Sequence, residues 1–305
     1  MNSYLARMRA YLREMFPVGR HFVLSLVTYI AVAMFARRVQ ATHTSVWTSY
    51  LLLGTSSYFL VPLMLRLMDE LKDRDIDAAL FAARPLPSGR VRVSDIRWSL
   101  VAVIVLFLGI NAVHRLTLFA AAMITGYALL MFRRFFAEKA HRDSLPLTLA
   151  THNPIVPLSL SYGFFLFAAE HDLAISALHW APILVFIVML WMPMLSWEFS
   201  RKIRAPEQED AYVTYSRLLG PRGAAAAMLI VQFIGLAASA ALCVSHILPW
   251  AVMLLPAAAW MASLWAARRY LRRLDRRSAA LRPFAEAFAL ATTGSVLLIL
   301  GTALA

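Results

Sequence analysis

The stretch Arg66 to Asp77, R-L-M-D-E-L-K-D-R-D-I-D, closes a long apolar segment and is rich in carboxylates. Its acidic residues are Asp69, Glu70, Asp73, Asp75 and Asp77. The whole chain of 305 residues has only 17 acidic residues, so this is a strong local concentration. Carboxylates this close together repel one another unless a cation joins them. A divalent metal that carries an anionic ligand is therefore the first candidate for this place.

The composition around this stretch indicates a membrane protein. Hydrophobic residues make up 61% of the chain and charged residues 15%, against about 45–50% and about 25% in soluble domains. Apolar runs of spanning length recur along the chain. The candidate spans are 21–36, 46–68, 99–113, 116–132, 145–168, 178–197, 224–245, 247–267 and 284–304. We therefore expect an all-α membrane protein with nine transmembrane helices, in which residues 1–305 form a single polytopic domain.

The charged segments between the spans predict the topology. The net charge of +13 invites a nucleic-acid partner, but the basic residues are placed otherwise. With the N-terminus in the cytoplasm, 27 of the 30 Lys and Arg residues lie on the cytoplasmic side, and the other side holds only Arg37, Arg38 and Arg115. This is a positive-inside pattern. It predicts contact with anionic lipid headgroups and no nucleic-acid partner.

Three segments outside the spans complete this picture. Residues 1–20 are charged and amphipathic, which predicts an interfacial helix. The segments 69–97 and 198–222 are long and polar, and we expect both to be cytoplasmic active-site loops. The predominance of Arg over Lys hints at a GC-rich bacterial genome. We therefore expect a multi-pass protein of the bacterial inner membrane.

The acidic stretch has helical spacing. If the helix of the second span continues past Asp69, then Glu70, Asp73 and Asp77 fall at i, i+3 and i+7 and share one face. Asp69 lies beside them and Asp75 points elsewhere. Such a face offers hard oxygen ligands for Mg²⁺, which typically takes one or two carboxylates, waters and phosphate oxygens. The alternative is a solvated helix end with salt bridges.

The next segment, R-P-L-P-S-G-R from Arg84 to Arg90, is a turn punctuated by Pro and Gly that carries two arginines. Arginine is suited to bidentate phosphate contacts. Carboxylates for a metal followed by arginines for phosphate make a diphosphate site chemically reasonable.

The two segments together, D-E-L-K-D-R-D-I-D and R-P-L-P-S-G-R-V, resemble the first conserved region of the UbiA superfamily of intramembrane prenyltransferases. Those enzymes carry Asn-Asp-x-x-Asp-x-x-x-Asp after the second of nine helices, and then an Arg-Pro-x-x-Ser-Gly turn. Here Asp69 stands at the Asn position and Glu70 at the first Asp position. Asp73 and Asp77 match directly. The resemblance in span number, loop placement and topology covers nearly the whole chain.

The second region of the family, Asp-x-x-x-Asp after helix six, is matched only in part. Glu198 fits the first carboxylate, but Lys202 stands where the second is expected. Either the protein therefore lacks a full second metal site, or Lys202 itself contacts the diphosphate. Glu207, Glu209 and Asp210 lie off this spacing, and we interpret them as solvated.

Two further positions between these regions resemble the family. Lys139, after the fourth span, resembles a lysine that meets the diphosphate. The span 145–168 contains prolines that imply a broken helix, and the family places a polar amide near this point. Asn153 is the matching amide. His152 fits a helix–helix hydrogen bond as well as a substrate contact.

The resemblance implies Mg²⁺-dependent transfer of an isoprenyl group from an isoprenyl diphosphate to a lipophilic or aromatic acceptor, with the active site at the cytoplasmic face. The implied metal ligands are Asp69, Glu70, Asp73, Asp77 and Glu198. The implied diphosphate-binding residues are Arg84, Arg90, Lys139 and Asn153. The implied catalytic residues are Asp73, Asp77 and Lys202. Two alternatives stay open: a membrane terpene cyclase that ionises the same substrate, and a non-catalytic transporter or binding protein.

Overall fold

The fold is helical throughout the part of the chain that the structure describes. The structure is a computed structural model, and it describes residues 3–209 and 213–302. Within these residues there is no β-strand. In chain order the helices are α1 (Tyr4–Met15), α2 (Val18–Val39), α3 (Ser49–Lys72), α4 (Arg74–Leu80), α5 (Val93–Asn111), α6 (Arg115–Phe132), α7 (Glu138–Asp143), α8 (Leu145–His152), α9 (Ile155–Glu170), α10 (Trp180–Ser200), α11 (Tyr215–Val244), α12 (Leu254–Arg273) and α13 (Arg282–Thr302).

Eight helical segments among the described residues are long and apolar enough to cross a membrane. They are α2, α3, α5, α6, α10, α11, α13 and the segment Trp250–Arg273, which ends with α12. A helix satisfies its own backbone hydrogen bonds, which is why apolar spans of this length fold as helices in lipid. The prediction of an all-α, multi-pass membrane protein is confirmed.

The predicted span 145–168 is present as two shorter helices, α8 and α9. The chain bends at Asn153 and Pro154, and the Val156 N–H donates to the Asn153 carbonyl at 3.0 Å across the bend. Proline has no N–H to continue the helical ladder, so a break here follows from the sequence. Because neither half is long enough to span a membrane alone, the count of nine spans stays a prediction.

The chain divides into two compact units. The first contains residues 1–32 and 45–176, and the second contains residues 33–44 and 177–305. The first unit thus holds the acidic stretch and helices α3 to α9, and the second holds α10 to α13 and the segment of Glu198. The prediction of a single domain over the whole chain stays a prediction.

Buried polar groups join the helices inside the first unit. The Tyr162 hydroxyl of α9 meets Asn111 Oδ1 of α5 at 2.5 Å and Ser57 Oγ of α3 at 2.7 Å. The Asn111 amide also donates to Ser57 Oγ at 3.1 Å. At Gly163 a Cβ atom would lie 2.6 Å from Val32 Cγ1, so only glycine permits this approach of α9. These contacts fix the helices that carry the acidic stretch.

The second unit has a similar internal link. The Gln232 amide of α11 donates to Ser196 Oγ of α10 at 2.9 Å, and both side chains are fully buried. The rings of Phe35 and Phe186 stack with centroids 3.8 Å apart. In α11 the chain kinks at Gly220, where φ is +68°, a conformation that glycine adopts without strain.

Candidate active site

The helix that carries the acidic stretch bends in the middle of it. Helix α3 ends at Lys72, Asp73 adopts φ −102° and ψ 16°, and α4 begins at Arg74. Hydrogen bonds still cross the junction, from the Asp73 N–H to the Asp69 carbonyl at 2.9 Å and from the Asp77 N–H to the Asp73 carbonyl at 2.8 Å. The carboxylates therefore follow a bent helical path rather than the single straight face that the spacing predicts.

Glu70 and Asp77 form the inner pair of carboxylates. Both side chains are buried, and they lie within electrostatic range of each other. The guanidinium of Arg66 donates to Glu70, one helical turn away. Arg84 Nη1 donates to Asp77 Oδ1 at 2.7 Å, and its guanidinium lies 3.9 Å from the centre of the Phe81 ring. Each inner carboxylate thus has its own arginine.

Asp69 and Asp73 form the outer pair. Lys72 Nζ lies 3.0 Å from Asp69 Oδ1, and Arg134 Nη2 donates to Asp73 Oδ1 at 2.9 Å. Burial raises the pKa of Asp73, and the nearby charge of Lys72 works in the opposite direction. Asp75 is exposed, in line with its exclusion from the predicted set. The outer pair is the more accessible of the two, since the Asp73 side chain is 37% exposed.

Each of the four carboxylates is therefore paired with a basic side chain of the protein. Within residues 3–209 and 213–302, no three side chains of the metal-binding types cluster closely enough to hold a metal ion. The donor set nevertheless suits Mg²⁺, because carboxylate oxygens are its preferred ligands. In addition, Glu70 Oε2 is buried and has no hydrogen-bond partner. A buried carboxylate oxygen of this kind is costly unless a cation or donor completes it.

Arg134 is a site residue that sequence reasoning missed. It is buried, and besides Asp73 it contacts Glu138 Oε1 at 2.5 Å and the Lys72 carbonyl at 3.3 Å. Arg134, Phe135 and Phe136 have φ values of 47°, 51° and 59°. Three successive non-glycine residues in the left-handed region are strained. No glycine or Asn marks this turn in the sequence, so no local signal could have found it.

The strained turn also orders a group of polar residues beside Lys72. The Phe135 ring stacks on His141, with ring centroids 5.7 Å apart. Thr151 Oγ1 lies 3.0 Å from His141 Nε2 and 3.1 Å from His152 Nδ1. His152 Nε2 in turn lies 3.5 Å from Lys72 Nζ. His152 is therefore tied to the acidic stretch through Lys72, in addition to its role between helices.

The remaining diphosphate candidates of the first unit lie in different surroundings. Arg84 is placed on Asp77, as described above. Lys139 is exposed on the short helix α7, and Asn153 is half-buried at the bend between α8 and α9. The roles of Lys139 and Asn153 toward a diphosphate stay predictions.

Arg90 pairs with a carboxylate of the N-terminal helix α1. Its Nη1 and Nη2 atoms donate to the two carboxylate oxygens of Glu14 in α1, at 2.7 and 3.0 Å, and Nη2 also donates to the Ala83 carbonyl at 2.7 Å. Gly89 adopts φ +76°, which closes the turn predicted from its Pro and Gly residues. These contacts hold Arg90 in the turn, and its role toward a diphosphate stays a prediction.

The second predicted region lies in the other unit, at the end of α10. The Glu198 carboxylate accepts from Arg201 Nε at 2.5 Å and Nη2 at 3.0 Å, and Lys202 Nζ lies 3.2 Å from its Oε1 atom. Lys202 is buried and lies 5.6 Å from the centre of the Tyr215 ring. Lys202 thus occupies the position of the missing carboxylate and neutralises Glu198.

The acidic residues after this region are more structured than expected. Glu209 is not simply solvated: its carboxylate accepts hydrogen bonds from Thr214 Oγ1 at 2.6 Å and from Ser216 Oγ at 2.6 Å. These contacts fold the loop back onto the start of α11, which a spacing argument does not reveal. Glu207 is exposed, and Asp210 lies outside the described residues, as do residues 211 and 212 of the predicted loop.

Comparisons with known proteins bear on the fold. No protein-family model matches the sequence, and no curated protein matches it significantly. A UbiA homologue from Aeropyrum pernix K1, solved in its apo form, superposes with a TM-score of 0.69 at 16% identity and covers 92% of this chain and 98% of its own. A structure of digeranylgeranylglyceryl phosphate synthase gives a TM-score of 0.64 at 13% identity, covering 97% of this chain and 99% of its own.

A UbiA homologue from Archaeoglobus fulgidus is also similar, with a TM-score of 0.51 at 15% identity over 95% of this chain and 99% of its own. At these identities the likeness concerns the fold. It agrees with the resemblance that the acidic stretch and the Arg84–Arg90 turn carry in the sequence. The chain therefore has the fold of the UbiA homologues, and this fold supports its resemblance to the UbiA superfamily.

Proposed function

We propose that this protein transfers an isoprenyl group from an isoprenyl diphosphate to a lipophilic or aromatic acceptor within the membrane, in an Mg²⁺-dependent reaction. The observation that carries the proposal is the acidic stretch at the end of α3, in a chain with the UbiA fold. Four carboxylates and four basic side chains meet there. This combination suits a metal together with an anionic ligand.

The proposed metal ligands of the first unit are Glu70, Asp73 and Asp77, with Asp69 beside them. Mg²⁺ bound to these carboxylates would coordinate diphosphate oxygens and offset the negative charge that develops as the diphosphate leaves. The open oxygen of Glu70 and the accessible Asp73 carboxylate are the best-placed ligands.

The proposed diphosphate contacts include the arginines that form ion pairs with the carboxylates in the structure. Arg84 was predicted, and Arg134 and Arg66 join it because they contact Asp73 and Glu70 directly. A guanidinium group beside a developing phosphate charge stabilises the transition state electrostatically. Arg90 stays a proposed diphosphate contact, and like Arg84 it is held by a carboxylate in the structure, that of Glu14.

The second unit supports a role for Lys202 as a cation rather than a second full metal site. Lys202 and Arg201 neutralise Glu198, so this segment adds net positive charge. We propose that Lys202 contacts the diphosphate and that Glu198 is a metal ligand, as the resemblance implies. Ionisation of the C–O bond then leaves an allylic cation, which apolar and aromatic surroundings protect from water until the acceptor traps it.

The test is an assay of the purified protein with farnesyl or geranylgeranyl diphosphate, Mg²⁺ and a lipid extract as the source of acceptor. Mass spectrometry should detect a prenylated lipid that disappears when EDTA removes Mg²⁺. A cyclic hydrocarbon formed without the extract would instead identify a terpene cyclase. Intact diphosphate under both conditions would count against any catalytic function.

The proposed location is the inner membrane of a bacterium, with the acidic stretch at the cytoplasmic face. The support for this is the distribution of Lys and Arg between the spans. A cysteine-labelling experiment on the loop between α3 and α5 tests it, because labelling from the cytoplasmic side alone is expected.

A further inference from the structure

The N-terminal helix α1 is tied to the rest of the first unit by an ion pair near each end. Arg7 donates from Nε and Nη2 to the two oxygens of Asp95, at 2.6 and 2.7 Å. Near the other end of the helix, Glu14 accepts the two hydrogen bonds from Arg90 described above. Bidentate pairs at both ends fix the position and the rotation of α1.

The docked helix turns Tyr11 into the interior. Tyr11 is completely buried, and it lies within electrostatic range of Glu70 and Arg66. Burial raises the pKa of Tyr11, and the negative charge of Glu70 raises it further. Helix α1 therefore brings a neutral hydroxyl group to the inner pair of carboxylates.

Three buried polar atoms of these side chains have no hydrogen-bond partner. They are the Tyr11 hydroxyl oxygen, Arg66 Nε and Glu70 Oε2. Arg66 already uses Nη2 on the other oxygen of Glu70. The Arg66 Nε–H is a donor and the Tyr11 oxygen is an acceptor, and the two groups are close enough to influence each other. Native proteins rarely leave such complementary groups unused.

We propose that Tyr11 is a positioning residue for Glu70. The Tyr11 oxygen accepts a hydrogen bond from Arg66 Nε, Arg66 holds one oxygen of the Glu70 carboxylate, and the second oxygen stays open for Mg²⁺. This inference rests on the proposed function, since it takes Glu70 as a metal ligand. On this proposal, the ion pairs that dock α1 also keep Tyr11 in place beside the metal ligand Glu70.

The experiment compares Tyr11→Phe with Tyr4→Phe in the full-length protein. Both changes remove one phenolic hydroxyl from α1, but the Tyr4 hydroxyl bonds to Ser99 Oγ at 2.7 Å and is partly exposed. The melting temperature in detergent is measured as free Mg²⁺ is varied at a fixed low concentration of inorganic pyrophosphate. Losing one hydrogen bond to a charged group should raise the half-saturating Mg²⁺ concentration about tenfold or more in Tyr11→Phe. Tyr4→Phe should move it far less, because the two ion pairs still hold α1 in place.

A second set of variants tests the docking. Glu14→Arg and Arg90→Glu each break the ion pair at the end of α1, and the double variant restores it with the charges exchanged. Each single variant should shift the Mg²⁺ response in the same direction as Tyr11→Phe, and the double variant should recover most of the shift. A purely local effect of either charge would not be rescued.

The outcomes distinguish a failure of the proposed function from a failure of the role proposed for Tyr11. If Mg²⁺ and pyrophosphate do not stabilise the wild-type protein, the proposed function fails together with this inference. If the wild type responds and Tyr11→Phe responds at the same Mg²⁺ concentration, only the positioning role of Tyr11 is overturned. A lower melting temperature of Tyr11→Phe without Mg²⁺, combined with an unchanged Mg²⁺ response, likewise reduces Tyr11 to a packing residue.

Discussion

Replacing Asp73 by Asn tests the proposed metal ligand, because the change should affect activity much more than stability. Asp73 lies at the bend between α3 and α4 and contacts Arg134 at 2.9 Å. The substitution keeps the size of the side chain but removes the negative charge that a metal requires. We therefore expect a large loss of turnover and a small change in the free energy of unfolding.

The two magnitudes follow from the surroundings of Asp73. Its side chain is 37% exposed, and Arg134 keeps a second carboxylate, Glu138, at 2.5 Å. Because Asp73 is partly exposed and the buried Arg134 keeps Glu138 as a partner, removing this ion pair costs about 1 kcal/mol of stability or less. Losing one electrostatic contact to the transition state lowers turnover about 10²- to 10³-fold. Activity should thus fall far more than the small stability change explains.

The assay measures product formation and melting temperature on the same purified samples. Asp75→Asn is the matched control, because Asp75 has the same chemistry two residues away and is exposed. It should retain activity within about twofold, because exposed substitutions away from a site change little. Asp73 is not a metal ligand of the reaction if Asp73→Asn stays within a few-fold of the wild type, or if Asp75→Asn is impaired equally.

Three further predictions concern the scaffold. Tyr162→Phe should lower stability by about 1 kcal/mol, as measured by urea unfolding in mixed micelles, because it removes a buried hydroxyl from Asn111. Ala41→Gly should raise the melting temperature slightly, since Ala41 is exposed with φ 52° and glycine adopts this conformation without strain. Arg90 lowers the pKa of Glu14, so docking of α1 should persist above the ordinary carboxyl pKa of about 4.3 and weaken as the pH falls below it. A spin label on the exposed face of α1 should report that release as increased mobility, and unchanged mobility at acid pH would contradict it.

The main features of the fold could be predicted from the sequence because they depend on local composition. Apolar runs predicted the helices, and the prolines predicted the break between α8 and α9. Helix α1 was predicted from its amphipathic pattern, but its docking was not. The Arg7–Asp95 pair joins residues 88 positions apart, and a single sequence does not reveal such partners.

The carboxylates of the site were also predictable, whereas their partners were not. Glu70 and Asp77 are conspicuous because acidic residues are rare in this chain. Arg134 is one of many arginines, and only the left-handed turn after α6 directs it to Asp73. The bend at Asp73 escaped prediction for a related reason, since no proline or glycine marks it and the backbone hydrogen bonds continue across it.

The basic side chains that pair with the acidic stretch reduce its net charge. Each of the four carboxylates has a basic partner from the chain, so the stretch is close to neutral as folded and the expected mutual repulsion is largely offset. A divalent cation that takes one of these carboxylates competes with the side chain already bound to it. A cation that binds without an anionic ligand therefore gains little free energy of binding.

An anionic ligand alters this balance. A diphosphate that arrives with the metal accepts the guanidinium groups that the carboxylates give up, so no charge is left without a partner. Binding of metal and of phosphate at this place is therefore coupled, and each raises the affinity for the other by the same factor. The side chains that neutralise the empty stretch are, on this reasoning, the same ones that recognise its ligand.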